Sequence, residues 1–556
     1  LPAIGGKAGG FPIIECLSLA GAGEFFLLLT DVSISYMLAP ISYCTKLAMS
    51  SKKKPATPRK HHSGVKHLKS KDLDIPSHFQ RAFALHQSGN MDQAELMYRQ
   101  ILVKDPAQPD ALHYLGMILQ TKGNGKEAVK LFDRALKSHP NNPACYANRA
   151  VALFKLGQTE AALLDYDHAI TLEPNLSEAY FNKGDAMHSL DRHEEALACY
   201  DRAIAIRDNY PTAHLGRGVV LESMGRFGEA LKSYQCAAKL KPDYAEAHHA
   251  EALVLLKQAD YAAGWTKYEW RWQMEDNKLP QHLQAQLNKP LWLGSGSLDG
   301  KTIYLHAEQG FGDTIQFCRY VYQVAELGAN IVLSVPSALK PLMGHFPNVS
   351  LLLDSNEKLD AFDCHCPLMS LPLALQTRLD TIPSKVPYLF SQPDKIASWQ
   401  KRLGERVMPR IGLAWSGNIK PDPKRAIPLC YLLNLFAGDK ALFSLQKELR
   451  PNDQRVFDEQ TSLSHFGGQL NDFGDTAALI EHMDLIISVD TSVAHLAGAM
   501  GKPVWLLLPF NSDWRWLLER DDSPWYPSVR LFRQENSDDW EGVLAKVKAA
   551  LAVHSF

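Results

Sequence analysis

One spacing constrains this chain more than any other feature. Gly89, Gly123, Gly157, Asp191 and Gly225 recur every 34 residues, and aromatic residues keep the same interval at Tyr98, Phe132, Tyr166, Tyr200, Tyr234 and Tyr268. Small residues keep it too, at Ala94, Ala128, Ala162, Ala196 and Ala230. Aromatics make up 9% of the 556 residues. Five further coincidences at one interval then have odds of about one in a hundred thousand. A period of this length means one supersecondary unit repeated, each copy burying its apolar face against the next.

Within a unit the apolar spacing is helical. A glycine punctuates the middle, and Pro106, Pro140, Pro174 and Pro242 punctuate the end, so each unit reads as a pair of helices. Gly116, Ala150, Gly184, Gly218 and Ala252 let the two helices approach, while the aromatic fills the space beside the small Ala of the second helix. This order of small and large positions resembles the tetratricopeptide repeat over residues 77–278. The resemblance implies an all-α superhelix whose concave face grips a peptide or a partner protein. Asn148 and Asn182 fall on the first helix of adjacent units. Their amides suit either paired hydrogen bonds to an extended peptide or a solvated face, and Tyr114, Gly216 and Ala250 interrupt the ladder.

Length predicts about three or four domains. Hydrophobic residues at 46% and charged residues at 22% place the chain in the ordinary globular range. The 59 basic and 61 acidic side chains nearly cancel, so no global field draws it to nucleic acid or an anionic membrane, and no nucleic-acid partner is expected. Nine cysteines without the spacing of a disulfide framework suggest a reducing compartment, taken as the cytoplasm. The apolar stretch 11–29 is broken by Glu15, Glu24 and several glycines, so no integral membrane span is expected. Met49 opens MSSKKKPATPRK, which leaves residues 1–48 either upstream of the natural start or part of the tail. Residues 1–76 are expected to form a disordered basic tail. Lys52, Lys53, Lys54, Arg59, Lys60, Lys66 and Lys69 suit either solvation or an acidic partner.

After Trp265, Trp270 and Trp272 the repeat fades, and Pro280, Pro290, Gly294 and Gly296 mark a boundary near 280. The carboxyl-terminal half alternates short β-branched runs with helical runs, in the rhythm of parallel α/β sheets. Strands are expected at 302–305, 330–335, 349–353, 411–414, 485–489 and 504–508. Two Rossmann-like lobes, 279–405 and 406–556, fit this pattern.

Ligands of open parallel sheets bind beyond the carboxyl ends of the strands, so three loops are the candidates. In AEQGFGDTIQF, Gly310 and Gly312 permit a tight turn and a close ligand, and Asp313 is either a general base or a helix cap. In GLAWSGN, Ser416, Gly417 and Asn418 either cradle phosphate through backbone N–H groups, with Lys424 or Arg425 neutralising a diphosphate, or belong to a solvated basic surface loop. In the third, Asp490, Thr491 and Ser492 open a helix whose start offers N–H groups to a diphosphate. Asp490 would repel phosphate and is expected to order the turn or hold a sugar hydroxyl, and His495 is either a packed side chain or a catalyst. DWRW at 513–516 and SPWYP at 523–527 suit base stacking, an acceptor groove or packing between lobes. No metal site is expected, since Cys364, His365 and Cys366 lack further ligands at metal spacing.

The GFGD turn, the GLAWSGN loop, FSLQKE at 443–448 and DTSVAHLAGAMGKPV resemble the ADP-heptose:lipopolysaccharide heptosyltransferase-like superfamily. Behind the repeats, they resemble its repeat-bearing glycosyltransferase branch over about 77–550. The resemblance implies a GT-B fold and inverting, metal-independent transfer of a sugar from a nucleotide-diphosphate donor, with no cofactor beyond that co-substrate. It makes Asp313 the base, places Lys424 or Arg425 on the diphosphate, and sets Asp490, Thr491 and His495 near the donor. The repeats are then expected to present a protein or glycan acceptor. The alternative is a tetratricopeptide scaffold whose transferase-like half is inactive. Ser492 stands where heptosyltransferases usually carry glycine, so donor and acceptor identity are not inherited. The architecture is also similar to protein O-linked N-acetylglucosamine transferases, without a match to their catalytic motifs.

Overall fold

The computed structural model describes residues 74–274, 287 and 289–556, except 356, 358, 360, 418–422, 437–439 and 460–461. Residues 1–73 of the expected basic tail, Asn418 and the expected boundary at 278/279 lie outside the described residues, and the helix beginning at Ile75 takes up the last two residues of that tail. The chain divides into two compact units, Leu1–Ile206 and Arg207–Phe556.

Among its described residues the first unit holds four helix pairs: Ile75–Gln87 with Met91–Lys104, Pro109–Thr121 with Gly125–Ser138, Pro143–Lys155 with Thr159–Leu172, and Ser177–Ser189 with His193–Ile206. Gly89, Gly123, Gly157 and Asp191 each occupy the turn inside a pair at positive φ, between 56° and 80°. The 34-residue mark is therefore a left-handed backbone position, which glycine adopts without steric cost. A Cβ added to Gly116 would sit 2.7 Å from the Phe132 ring, and one on Gly184 would sit 2.9 Å from Tyr200. The small position and the aromatic of one repeat are thus two halves of a single contact. Asn148 Nδ2 meets His113 Nε2 at 2.8 Å, and Asn182 is buried.

In the second unit two further pairs, Pro211–Ser223 with Phe227–Leu240 and Ala245–Lys257 with Tyr261–Tyr268, end in a 3-10 turn at Glu269–Gln273. The first sheet then comprises β1 (Thr302–His306), β2 (Asn330–Val335), β3 (Val349–Asp354) and β4 (Cys364–Pro367), all parallel, in the order β3-β2-β1-β4. The second comprises β5 (Arg410–Ala414), β6 (Ala441–Ser444), β7 (Leu463–His465), β8 (Leu485–Val489), β9 (Val504–Leu508) and β10 (Val529–Arg533). It is also parallel, in the order β10-β9-β8-β5-β6-β7. That order runs outward in both directions from β5 and β8, the doubly wound arrangement whose reversal opens a crevice at the strand ends. In the first sheet the same reversal falls between β1 and β4. The six expected strands all form, and the two lobes and the preceding helical repeats give the architecture expected of a repeat-bearing GT-B fold.

The lobes share a core. Arg319, buried in the first, donates from Nη1 to the Trp525 carbonyl at 2.6 Å and from Nη2 to the Tyr388 hydroxyl at 2.8 Å. Trp514, Trp525 and Tyr526 are buried with Phe317 and with Trp265 and Tyr268 of the last repeat. The DWRW and SPWYP aromatics therefore pack, and the stacking and acceptor readings of them do not hold. Helix Pro393–Leu403 lies before the expected lobe boundary at 405 yet ties to the second lobe. Its Lys395 Nζ reaches Asp472 Oδ1 at 2.6 Å and Asp475 Oδ1 at 3.1 Å.

Candidate active site

The three loops converge. The first follows β1 and leads into the helix Phe311–Phe317, where neither glycine has positive φ. Gly310 is the N-cap, at φ −66°. Gly312 is needed for a close approach, since a Cβ there would lie 2.9 Å from His495 Cδ2 and 3.7 Å from Ser492 Cα. The space expected for a ligand beside Gly312 is thus filled by the helix Ser492–Ala499, which follows β8. This contact joins the first loop to the third.

Asp313 is both cap and candidate base. Oδ2 accepts from the Gly310 N–H at 3.0 Å, and Oδ1 accepts from Arg515 Nη2 at 2.5 Å. Its side chain keeps 23% of its surface exposed, and each carboxylate oxygen has a second lone pair. Arg515 is buried, with Nε donating to Gln316 Oε1 at 2.7 Å and Nη1 to Asp513 Oδ1 at 2.9 Å. Burial works against its charge, yet Asp513 and Asp313 raise its pKa above the ordinary value.

Asp490 stands at the end of β8. Its Oδ2 accepts from Trp516 Nε1 at 2.9 Å, and its Oδ1 lies 3.5 Å from His495 Nε2. Burial pushes this carboxyl upward, but the hydrogen bonds of His495 and Trp516 and the charge of Arg515 outweigh it and hold the pKa below the ordinary value. His495 is buried, with Nδ1 3.0 Å from the Tyr526 hydroxyl and its ring stacked on Trp516. The packed reading of His495 therefore describes its surroundings, in contact with Asp490. Thr491 is the N-cap of the helix, with Oγ1 3.1 Å from Ser488 Oγ, and Ser492 is the first helical residue.

The second loop follows β5. Gln446, in the stretch after β6, accepts the N–H groups of both Trp415 and Ser416 at 2.9 Å. The Ser416 N–H expected to cradle phosphate is therefore already engaged. Arg450 Nη2 donates to the Gly417 carbonyl at 2.7 Å. A Cβ on Gly417 would lie 3.2 Å from Arg425 Nη2 and 3.3 Å from Thr491 Cγ2, which brings this loop to the third. Of the two basic candidates, Arg425 is the one beside Gly417, where the second and third loops meet. Lys424 is 44% exposed and reaches Asp538 Oδ2 at 3.4 Å.

Sequence reasoning missed Arg515, Trp516, Gln446 and Arg450 as members of this constellation. DWRW follows β9, at the carboxyl end of a strand, so its position was a usable signal. Nearby, Glu308 follows β1 and is buried, its Oε1 accepting from Arg271 Nη2 at 2.8 Å and Nε at 3.2 Å. Arg271 belongs to the last repeat's 3-10 turn and also donates to Glu269 Oε1 at 2.6 Å and Ser370 Oγ at 2.7 Å. Burial pushes the Glu308 carboxyl up to about 7, against the pull of Arg271. Among the described residues no group of His, Cys, Asp and Glu is placed to hold a metal, and no helix is long and apolar enough to cross a membrane.

The class defined by this fold and site is a tetratricopeptide array joined to a pair of parallel-sheet lobes whose strand-end loops meet. Comparisons agree. Residues 152–191 and 184–225 match the TPR repeat family, and 85–152 match a tetratricopeptide repeat family. Residues 468–508, which span β8, the Ser492–Ala499 helix and β9, match Glycosyltransferase family 9 (heptosyltransferase). A curated relative, Protein FlbA of Caulobacter vibrioides, is 27% identical over 322 residues, 52% of each chain. The chain thus spans about half the length of that relative. Among solved structures, MamA is 23% identical and matches 30% of this chain and 96% of its own, with a TM-score of 0.28. The pilF protein of Pseudomonas aeruginosa is 21% identical and matches 38% and 96%, with a TM-score of 0.34.

Proposed function

We propose that this chain is a glycosyltransferase that moves a sugar from a nucleotide-diphosphate donor to an acceptor hydroxyl, with inversion and without a metal. The observation that carries this reading is the convergence of three strand-end loops around Asp313, Arg425 and Asp490, in a half whose third loop matches glycosyltransferase family 9. Asp313 takes the proton of the acceptor hydroxyl as the acceptor oxygen bonds to the anomeric carbon. The bond from that carbon to the diphosphate breaks, and the electron pair leaves with the diphosphate. The start of the helix at Ser492 and the Arg425 guanidinium offset the charge that develops there. Asp490, held as an anion, accepts a hydrogen bond from a sugar or ribose hydroxyl. The repeats present the acceptor, a protein or a glycan, and Asn182 and Asn148 remain the candidate contacts, the latter in exchange for its bond to His113.

The test is thermal unfolding of the full chain against ADP, GDP, UDP, CMP and their sugar conjugates. A nucleotide at 100 times its dissociation constant adds about 2.7 kcal/mol, and one selective shift is expected. Asp313→Asn should keep that shift and lose roughly 100-fold or more in turnover. Cooperative unfolding with no shift from any nucleotide sinks the reading in favour of a binding scaffold. An unaltered rate in Asp313→Asn removes Asp313 from the mechanism.

A further inference from the structure

The segment after β9 touches the first and third loops of the site and the repeats. Phe510 packs at Gly225 of the repeats, where an added Cβ would lie 3.2 Å from its ring. Asn511 Oδ1 accepts from Lys257 Nζ at 2.5 Å, on the last residue of the repeat helix Ala245–Lys257. Trp514 meets Trp265 edge to face, ring centroids 5.2 Å apart. The next two side chains point to the chemistry: Arg515 to Asp313 and Trp516 to Asp490. One 3-10 turn, Trp514–Trp516, therefore orients the candidate base of one lobe and the candidate donor-side carboxylate of the other.

Lys257 is an unusual residue for its place. It is 4% exposed, and its ammonium is also 3.1 Å from Glu222 Oε1 and 4.9 Å above the Phe227 ring. Packing alone calls for an apolar side chain there, because a buried ammonium must recover its lost hydration through its partners. What the charge adds is a directed bond to Asn511, three residues before the Trp514–Trp516 turn.

We propose that this turn is the positioning element of the site and that the repeats hold it in place, so that Lys257 acts on Asp313 through Asn511 and Arg515. The proposal rests on the transferase reading above. Arg515 and Trp516 are then positioning residues, and the last two repeats are part of the catalytic apparatus rather than a docking arm alone.

Amide hydrogen exchange on the full chain tests it, in Lys257→Met and, from the other side of the bond, Asn511→Ala. Methionine keeps the length of lysine and drops its charge, and the second variant stands if the first fails to fold. Exchange across 510–517 should speed up by about tenfold or more, and the increase should extend to 311–317, the helix of Asp313, while β8 is unchanged. Lys239→Ala, an exposed change on a repeat helix, should alter none of these. With the donor found by the nucleotide panel, both brace variants should lower kcat about tenfold at unchanged donor KM. Faster exchange confined to 510–512, with 311–317 and kcat as in the parent, overturns the proposal. Spread of the exchange to 311–317 in a protein that no nucleotide stabilises overturns the transferase reading and leaves the brace.

Discussion

The turn inside each helix pair needs one left-handed residue, and the chain meets that need unevenly. Gly89, Gly123, Gly157 and Gly225 satisfy it, whereas Asp191 at φ 56° and Ala259 at φ 62° carry a Cβ into a region that costs most side chains about 1–2 kcal/mol. Ala259→Gly removes that strain and gives back part of it as unfolded-chain entropy, for an expected gain of about 1 kcal/mol. Denaturant unfolding measures it, and a loss of stability would show that Ala259 is not strained. At this scale the repeat glycines were legible because one backbone requirement recurs at a fixed interval. Gly310 and Gly312 were not. Their motif suggested a turn open to ligand, but what Gly312 makes possible is contact with His495, 183 residues further along, which no local pattern encodes.

Whole helices and strands follow the same division. The strands rich in β-branched residues were evident, while β4 reads Cys-His-Cys-Pro, and β6 and β7 have only four and three residues; each is a strand because its neighbours pair with it. The loops after β1, β5 and β8 were legible from strand-end logic, but the DWRW turn was read for its aromatics and its arginine went unassigned. Helix Ser177–Ser189 carries a different kind of information. Its Asp185 is buried against the Tyr200 hydroxyl, which donates to Oδ1 at 2.5 Å, and burial lifts its pKa from 3.8 to about 7 despite that bond. A carboxyl raised on folding stabilises fully below its unfolded value, and that contribution is lost as the pH climbs through about 7. Asp185→Asn, which can still accept from Tyr200, should melt a few degrees above the parent near pH 8, with the difference shrinking towards pH 4. A difference that does not change with pH would show that Asp185 stays protonated or is already solvated.

For the molecule as a whole, the second unit is held together by bonds between the last repeat and the first lobe. Arg271 and Glu308 are 1% and 2% exposed, so removing one partner leaves the other buried without its hydrogen bonds. Arg271→Met should cost about 3–5 kcal/mol, and adding Glu308→Gln should recover much of it. Equal losses in the single and double variants would mean that the packing of Arg271 matters more than its charge. The division of the chain at Ile206 and Arg207, well inside the repeats, has a consequence for how such a protein can diversify. In a repeat array each module packs chiefly on its nearest neighbours, so whole 34-residue modules can be gained or lost by recombination without redesign of the lobes. The two modules after that division are tied to the lobes through Lys257, Trp265 and Arg271, so a gene fusion that supplied the lobes without them would leave Asn511, Trp514 and Glu308 without these partners.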